Sequence, residues 1–306
     1  KMTKSATGDV YIIKDDGNIY YFNRRDNEFR KLDVGTVVFE NVLQIVADSS
    51  DILWIFSSDG SNQSYAIEKE KDEIKLSPHN HFNHPEKLLW ASAENNLLYF
   101  IDSTYAFYEY DLNSQKKYYI VDLESEIHQR GEVSSIIKKQ NDYYIGFKSS
   151  GLIQLKYQPD QKIKYIIQPT DIRTGIFCLL KDKFQDIIWI GTDGQGLYMY
   201  FADTFSIKNT LLNTPAYQIN NPVRALYLDD EQTLWIGTKG NGILRMFNYH
   251  PEAETDISLK TEQLLTNNST LTDNSVYCFA PSHWKRLWIG TENGINYYSY
   301  PDRKIK

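Results

Sequence analysis

Cysteine, long apolar runs and an excess of positive charge are all scarce in this sequence. The two cysteines, Cys178 and Cys278, are too few for a disulfide framework. No run of about 18 apolar residues exists, and residues 1–9 lack the basic and apolar regions of a signal peptide, so neither a membrane span nor a leader is predicted within the chain. The formal net charge of −7 would repel a phosphate backbone, which argues against nucleic acid as a partner.

Aromatic residues, in contrast, are abundant: the chain has 23 tyrosines, 14 phenylalanines and 6 tryptophans. Such side chains fit the pleated, half-buried surface of a strand. Many belong to a repeat of the type Leu-Trp-Ile-Gly-Thr, which is plain at residues 188–192, 234–238 and 287–291 and weaker at four earlier places. The aromatic anchor recurs every 43 to 53 residues, at Tyr11, Trp54, Tyr99, Tyr144, Trp189, Trp235 and Trp288.

Each repeat has the same internal order. An apolar strand such as 223–228 is followed by an Asp-rich turn, the Leu-Trp-Ile-Gly-Thr strand, a glycine turn, a third strand such as 243–247 and a looser fourth strand, here near 257–260. Four short strands per repeat of about 40–50 residues are typical of a propeller blade, and no segment keeps a helical spacing of apolar residues. The sequence therefore predicts an all-β fold, a seven-bladed β-propeller with four antiparallel strands per blade and almost no helix.

We expect the whole chain, residues 1–306, to form this single propeller. The chain opens and closes in mid-pattern, which indicates a piece of a longer protein. The predicted blades occupy residues 1–40, 41–85, 86–131, 132–173, 174–221, 222–274 and 275–306.

Recurrence at one position of the repeat favours structural roles for the motif residues. The motif tryptophans share one position, which indicates packing between neighbouring sheets rather than a ligand-stacking cage. The motif glycine keeps a crowded strand position free of side chain. Residues 191–196 read Gly-Thr-Asp-Gly-Gln-Gly, but a strand rather than a helix follows, so they predict a hairpin turn and not a dinucleotide loop. Cys178 and Cys278 fall at a small-residue position and are interpreted as small buried hydrophobes.

Histidine raises the question of a metal or catalytic site. His79, His81 and His84 lie in one loop, but no carboxylate or cysteine stands at a recognisable ligand spacing, so a solvated loop is the preferred interpretation. The sequence leaves open whether this loop binds a metal. No histidine pairs with a nucleophile, and no catalytic residue, metal site or cofactor is predicted.

The repeat resembles a known one. The pattern Asp-x-x-x-x-Leu-Trp-Ile-Gly-Thr-x-x-Gly-x-Gly-Ile/Leu, which residues 230–243 and 186–197 carry almost unbroken and residues 287–295 carry in a shortened form, resembles the two-component regulator propeller repeat. In that family the repeats form the periplasmic sensor region of hybrid two-component histidine kinases of Bacteroidetes, which detect breakdown products of complex polysaccharides. The resemblance implies a non-catalytic periplasmic sensor with an oligosaccharide ligand. It also implies a second propeller, a homodimer partner, and a membrane segment and a histidine kinase that lie outside this chain.

A propeller collects the loops that enter its blades, and the turns between second and third strands, on one face. Polar side chains placed there can hydrogen-bond to hydroxyl-rich or anionic sugars. The candidate ligand-binding residues on this face are Arg173, Asp193, Gln195, Arg224, Lys239, Asn241, Asn274, Glu292 and Asn293. The simpler interpretation of each one, taken singly, is a polar loop residue that caps a turn.

Two other functions stay open. Streptogramin lyase and related seven-bladed propellers share a broadly similar aromatic repeat and use a histidine and a metal-binding carboxylate near the axis. Here no histidine lies at the inner end of a first strand, so His128 or the 79–84 loop would have to fold inward. A protein-interaction scaffold without a small-molecule ligand would be favoured by a large exposed aromatic patch. The candidates for such a patch are Tyr105, Tyr108, Tyr110, Tyr118 and Tyr119.

Overall fold

The computed structural model describes residues 1–5, 7–14, 16–23, 25–26, 28–70, 73–79, 82–201, 206–209, 221–248, 261–282 and 285–306. These residues form seven four-stranded antiparallel sheets, and within each sheet the strands are neighbours in chain order. The described part of the chain holds one helix, α1 (Glu124–Arg130), and no helix that is long and apolar enough to cross a membrane. The predicted fold class, a seven-bladed β-propeller with almost no helix, is confirmed.

The chain divides into two compact units. The first is Lys1–Ser125 with Ala280–Trp284, and the second is Glu126–Phe279 with Lys285–Lys306. The strands of the first three blades are β1 (Met2–Lys4), β2 (Val10–Ile13), β3 (Ile19–Asn23), β4 (Glu28–Lys31), β5 (Val42–Ala47), β6 (Ile52–Ser57), β7 (Gln63–Glu70), β8 (Glu73–Pro78), β9 (Leu88–Glu94), β10 (Leu97–Asp102), β11 (Ala106–Asp111) and β12 (Lys116–Asp122).

The last four blades continue the same meander. Their strands are β13 (Val133–Lys139), β14 (Asp142–Phe147), β15 (Leu152–Tyr157), β16 (Tyr165–Pro169), β17 (Ile176–Lys181), β18 (Ile187–Thr192), β19 (Leu197–Phe201), β20 (Ser206–Asn209), β21 (Val223–Leu228), β22 (Thr233–Thr238), β23 (Ile243–Phe247), β24 (Thr261–Leu264), β25 (Val276–Ser282), β26 (Arg286–Thr291), β27 (Gly294–Ser299) and β28 (Lys304–Ile305). The fourth strand that the sequence placed near residues 257–260 falls outside the described residues, and β24 is the strand that pairs with β23. The extent of the single domain and the blade boundaries stay predictions.

The second strand of each blade is the most deeply buried. Every position of β18 and of β22 is buried, whereas the fourth strands β12 and β16 are largely exposed. A strand that is covered on both faces carries a continuous apolar run instead of an alternating one. This burial explains why Leu-Trp-Ile-Gly-Thr is the clearest part of the repeat.

Apolar clusters lie between consecutive sheets within each unit. In the first unit, Trp54 packs with Phe100 of the next blade. In the second unit, Trp189 packs with Leu234 of the next blade, and the ring centroid of Trp235 lies 4.8 Å from that of Tyr298. The predicted packing role of the motif tryptophans is therefore confirmed. Truncation of such a side chain to alanine costs about 3–5 kcal/mol of stability.

An aspartate in the turn between the first and second strands holds the motif tryptophan. In blade 6, Trp235 Nε1 donates to Asp229 Oδ2 at 2.8 Å, while Asp229 Oδ1 accepts from two backbone N–H groups of the turn. Tyr300 of blade 7 also donates its hydroxyl to Asp229 Oδ2, at 3.2 Å. One carboxylate thus closes the turn and satisfies an indole N–H that burial would otherwise leave unpaired. Two other blades repeat this aspartate–tryptophan pair, as Asp48–Trp54 and Asp182–Trp189.

The motif glycine lies where two neighbouring strands come close. A Cβ on Gly191 would stand 2.5 Å from Cys178 Sγ and 2.7 Å from Val223 Cγ1, so any side chain there would force the neighbours apart. The crowding predicted for this position is present. The hairpin predicted for residues 191–196 is also present between β18 and β19, with φ of 76° at Gly194 and 81° at Gly196.

Candidate functional site

The first strands of blades 2 to 6 each carry a β-bulge near their start. At that point the pairing register with the second strand shifts, and one residue is left unpaired. A bulge turns its side chain away from the regular alternation, and bulges often lie next to functional sites for that reason. The bulged residues are Leu43, Leu89, Ser134, Phe177 and Arg224.

Two bulged residues of the second unit stack on each other. The guanidinium carbon of Arg224 lies 3.9 Å from the centroid of the Phe177 ring, a cation–π geometry. Arg224 Nε is buried and has no hydrogen-bond partner among the described residues. The guanidinium is therefore held in place by the ring, while part of its hydrogen-bonding capacity stays unused.

Tyr277 occupies the equivalent position of blade 7. In blade 7, Ser275 O accepts from Glu292 N, and in blade 6, Pro222 O accepts in the same way from Lys239 N. Tyr277 follows Ser275 by two residues, as Arg224 follows Pro222. The Tyr277 hydroxyl donates to the Glu292 carboxylate, and this hydrogen bond, together with burial, raises the pKa of Tyr277. We call Phe177, Arg224, Tyr277 and Glu292 the arginine cluster.

Two of the predicted asparagines use their side chains within the protein. Asn274 Oδ1 accepts from Thr266 N at 2.9 Å. Asn293 Nδ2 donates to Asp273 Oδ2 at 2.7 Å. Both side chains therefore fasten loops, as the simpler interpretation of these residues predicts.

The turn 239–242, which carries Lys239 and Asn241, is fixed to the same loops through its backbone. Lys239 N donates to Pro222 O at 3.0 Å, and the two glycine N–H groups of the turn both donate to Asn274 O. We call Asn274, Asn293 and the turn 239–242 the bonded rim, because its polar groups serve the packing of blades 6 and 7.

A cavity of about 640 Å³ opens between blades 4 and 5. Its floor contains Gln154 and Tyr200, both buried. Gln154 Nε2 donates to Asp142 Oδ2 at 2.8 Å, and the Tyr200 hydroxyl donates to Gln154 Oε1 at 3.3 Å. The floor is a satisfied polar network, which makes it rigid.

Four exposed polar side chains surround the mouth of this cavity. Gln168, Asp171 and Arg173 come from the end of blade 4, and Gln195 comes from the second-to-third-strand turn of blade 5. None of their side chains forms a hydrogen bond or ion pair with any described residue. We call these four residues the open rim. The half-buried Tyr198 stands on the blade 5 side of the cavity wall.

The nine candidate residues all lie in the second unit and fall into four groups. Arg173 and Gln195 line the cavity, Arg224 and Glu292 belong to the arginine cluster, and Asp193 lies on an exposed turn beside Gly175. The other four, Lys239, Asn241, Asn274 and Asn293, belong to the bonded rim. Phe177, Tyr277 and Tyr198 were not among the residues predicted from the sequence. The sequence did contain a signal for Phe177 and Tyr277. Each is an aromatic residue that directly follows the first buried residue of a blade's first strand.

The expectation that the loop of His79, His81 and His84 is solvated is wrong for His84. Its side chain is only 2% exposed, and Nε2 lies 3.0 Å from Oδ2 of the equally buried Asp102. Lys117 Nζ lies 2.9 Å from Nδ1, and desolvation lowers the pKa of His84. The rings of Phe82 and Phe100 pack against the imidazole. The loop is thus anchored in blade 3, because an apolar neighbourhood encloses the ring and Asp102 supplies its hydrogen bond.

Of the other two histidines in that loop, His79 is half-buried and His81 lies outside the described residues. Within the described ranges, no group of histidine, cysteine, aspartate and glutamate side chains could hold a metal ion.

Neither Cys178 nor Cys278 forms a disulfide bond, and each residue is half-buried, where small buried side chains were expected. The Cys178 thiol itself points into the sheet interface and donates to Val223 O at 3.4 Å. Burial raises the pKa of Cys178 to about 12. The thiol is therefore protonated and unreactive near neutral pH.

The fold and the loop residues define the class of the protein: a seven-bladed β-propeller whose polar side chains gather at the loop ends of blades 4 to 7. The model of the two-component regulator propeller family matches residues 217–240 and 270–293. These stretches contain the start of blade 6 and most of blade 7, and the match confirms the resemblance seen in the repeat.

Relatives and solved structures agree with that match. Histidine kinase P4 of Formosa agariphila is 23% identical over 254 residues, which cover 79% of this chain and 18% of the relative. The extracellular domain of BT4673 from B. thetaiotaomicron, assigned to a hybrid two component system, superposes with a TM-score of 0.67 at 22% identity, over 97% of this chain and 37% of that one. The extracellular domain of BT3049 from the same organism, with the same assignment, gives 0.65 at 17% identity, over 97% and 39%. These structural likenesses show the fold, and the chain spans about a fifth of the curated relative's length.

Proposed function

We propose that this chain is a non-catalytic sensor propeller of a hybrid two-component signalling system and that it responds to oligosaccharide breakdown products. The family match and the likeness to a histidine kinase support this proposal. We further propose a periplasmic location, as part of the ectodomain of an inner-membrane sensor. On this proposal the membrane segment and the histidine kinase belong to other parts of the protein, and a second propeller and a homodimer partner are its neighbours.

The arginine cluster is the observation that carries the ligand-binding role. A β-bulge presents Arg224, the Phe177 ring holds its guanidinium, and Arg224 Nε has no partner among the described residues. A buried donor without a partner costs free energy of about 1–3 kcal/mol. A ligand oxygen would meet the terminal amino groups of the same guanidinium, which are not among the buried unpaired atoms and form no hydrogen bond with any described residue. Such preorganised polar groups on a rigid strand are typical of binding sites.

The test is a thermal-shift and calorimetry screen of the 306-residue chain against defined oligosaccharides. A ligand that binds the folded state raises the melting temperature with concentration, by mass action. We expect Arg224→Gln to weaken, by about tenfold or more, the binding of any sugar that the arginine cluster holds. Arg286→Gln is the matched control, because Arg286 also stacks on an aromatic ring, that of Tyr297 at 4.3 Å, but lies at the opposite end of its blade. If no sugar shifts the melting of the folded chain, direct sugar recognition by this propeller fails.

A protein-interaction scaffold is the second candidate, and it rests on Tyr118 and Tyr119. These side chains are 49% and 59% exposed on β12, the outermost strand of blade 3, whereas Tyr110 is buried. Consecutive residues of a strand point to opposite faces, so each face of this outermost strand carries one exposed tyrosine, and exposed aromatic side chains favour a protein contact. If the scaffold is correct, the Tyr118→Ser, Tyr119→Ser double variant loses self-association or partner binding in sedimentation velocity experiments and keeps its melting temperature.

The lyase-like alternative has less support. His84 has a carboxylate partner, but it is enclosed by Phe82 and Phe100 and already uses Nε2 on Asp102. A general acid or base must reach the substrate, and this imidazole is shielded from solvent.

A further inference from the structure

We propose that the cavity between blades 4 and 5 is the binding site for a short, neutral oligosaccharide. On this proposal, which rests on the sensor function proposed above, the open rim hydrogen-bonds the sugar hydroxyls and Tyr198 packs against the apolar face of one sugar ring. The site is distinct from the arginine cluster, whose residues do not line the cavity. A sugar bound in the cavity should therefore keep its affinity in the Arg224→Gln variant.

The size and the floor of the cavity fit a small ligand. A volume of about 640 Å³ falls within the roughly 300–1,000 Å³ of ordinary ligand pockets. The floor groups Gln154 and Tyr200 already bond to Asp142 and to each other, so the cavity keeps its shape without a ligand. A preformed site saves the ordering cost that binding would otherwise incur.

The walls of the cavity are fixed as well. Thr170 Oγ1 donates to Leu152 O at 2.8 Å, and Gly151 N donates to Thr174 O at 2.8 Å. These bonds hold the segment 168–174 against the body of blade 4. The rim side chains therefore project from a backbone that does not need to move when a ligand enters.

The open rim has the chemistry that hydroxyl groups require. A sugar hydroxyl donates one hydrogen bond and accepts others. Gln168 and Gln195 offer both an amide donor and a carbonyl acceptor, Arg173 only donates, and the Asp171 carboxylate only accepts. None of these side chains is used inside the protein.

The charges at the mouth favour a neutral ligand over an anionic one. Arg173 and Asp171 are two residues apart on the same segment, so their opposite charges largely cancel for a ligand that contacts both. Asp193 lies close by, since its N–H donates to Gly175 O, and adds a second negative charge. A uronate or a sulfate would therefore gain less at this mouth than an uncharged sugar.

The experiment uses the 306-residue chain and four probes: maltotriose, xylotriose, mannotriose and, as the anionic probe, trigalacturonate. Calorimetry gives the dissociation constant of each. We expect one of the neutral trisaccharides to bind and trigalacturonate to bind at least about tenfold more weakly. We expect the Arg173→Ala, Gln195→Ala double variant to lose about tenfold or more in affinity, and Tyr198→Ala to lose more than Tyr198→Phe.

The control is Gln161→Ala, which removes an exposed glutamine from the turn between β15 and β16 at the opposite end of blade 4. It should leave affinity unchanged. Hydrogen exchange supplies a second readout, in which the bound sugar protects residues 168–174 and leaves the turn 239–242 unchanged.

Each outcome separates this inference from the proposed function. If a neutral sugar binds and the rim variants bind it equally well, the cavity is not the site, while the sensor function stands. If only trigalacturonate binds, the ligand class is wrong and the arginine cluster becomes the site. If none of the probes binds the folded chain while larger glycans do, a short ligand is wrong. If no glycan binds at all, the proposed function itself fails.

Discussion

The open rim of blades 4 and 5 and the bonded rim of blades 6 and 7 are made of similar residues and differ in where their hydrogen bonds go. Both consist of polar loop residues at the same ends of their blades. In the bonded rim, Asn274 and Asn293 satisfy groups of neighbouring loops. In the open rim, the side chains of Arg173 and Gln195 have no partner among the described residues.

The hydrogen-bond partner of a polar side chain therefore separates structural from functional residues on a propeller face. A side chain that completes a backbone hydrogen bond contributes to stability, and its removal leaves an unpaired group. A side chain that contacts only solvent contributes little to stability and is available to a ligand. The two rims should therefore respond oppositely to the same substitutions.

The largest expected effect is Gly242→Ala in the bonded rim. Gly242 has a φ of 65°, and a Cβ there would stand 2.2 Å from Leu264 O. Because a backbone oxygen cannot move aside cheaply, we expect a loss of about 2–4 kcal/mol in the free energy of unfolding. Chemical denaturation measures this loss. Gly240→Ala is the control: it also has a positive φ, of 96°, but meets only the end of the Asn221 side chain at 3.1 Å, so about 1–2 kcal/mol is expected. Equal losses at both glycines would contradict the close contact described here.

A smaller effect is expected for Asn274→Ala. This change removes the acceptor of Thr266 N, which lies in an exposed loop where water can replace it in part, so the free energy of unfolding should fall by about 0.5–1.5 kcal/mol. Asn274→Asp keeps an acceptor oxygen and should recover most of that loss. Gln195→Ala, in the open rim, should stay within about 0.5 kcal/mol of the unmodified chain. The comparison breaks down if urea denaturation midpoints shift by the same amount for Asn274→Ala and Gln195→Ala.

The smallest expected effect is a change in the pKa of Tyr277 in the arginine cluster. This cluster shares features of both rims, because Glu292 is bonded to Tyr277 while Arg224 Nε has no partner among the described residues. The bond to Glu292 raises the pKa of the Tyr277 phenol. A group whose pKa is raised in the folded state loses its stabilising bond only as the pH rises through that raised pKa. Tyr277 should therefore titrate above the usual value of about 10, and Glu292→Gln should lower its pKa. NMR of ¹³C-labelled tyrosine, with Tyr277→Phe to assign the signal, measures both values. If the Tyr277 signal titrates at the usual pH, Glu292 does not bond to Tyr277 and is available to a ligand, like the side chains of the open rim.

The fold could be predicted from the sequence because its signal repeats. A tryptophan, a glycine and a turn aspartate return in several blades, and each copy faces the same packing problem between two sheets. The same repetition identified the crowded glycine at Gly191 and the hairpin at residues 191–196. These features depend on neighbours at fixed spacings along the chain.

The site could be predicted only in part. The loop ends that carry Arg173, Gln195 and Arg224 follow from blade topology. Whether a polar side chain such as Asn274 is used internally depends on Thr266, in a loop whose conformation the repeat does not specify. The burial of His84 depends in the same way on Asp102, which lies 18 residues further along the chain and in a different structural element. Partners of this kind leave no periodic signal.

The carboxylate of Asp229 also imposes an order on how the last blades are completed. It accepts from the turn and from Trp235 within blade 6, and from Tyr300, the last tyrosine of the chain, in blade 7. A ribosome makes Asp229 well before it makes Tyr300. During synthesis, the sixth blade can therefore close its own turn and form the Trp235–Asp229 hydrogen bond. The Trp235 ring is covered, and Asp229 gains its bond from Tyr300, only when the seventh blade docks.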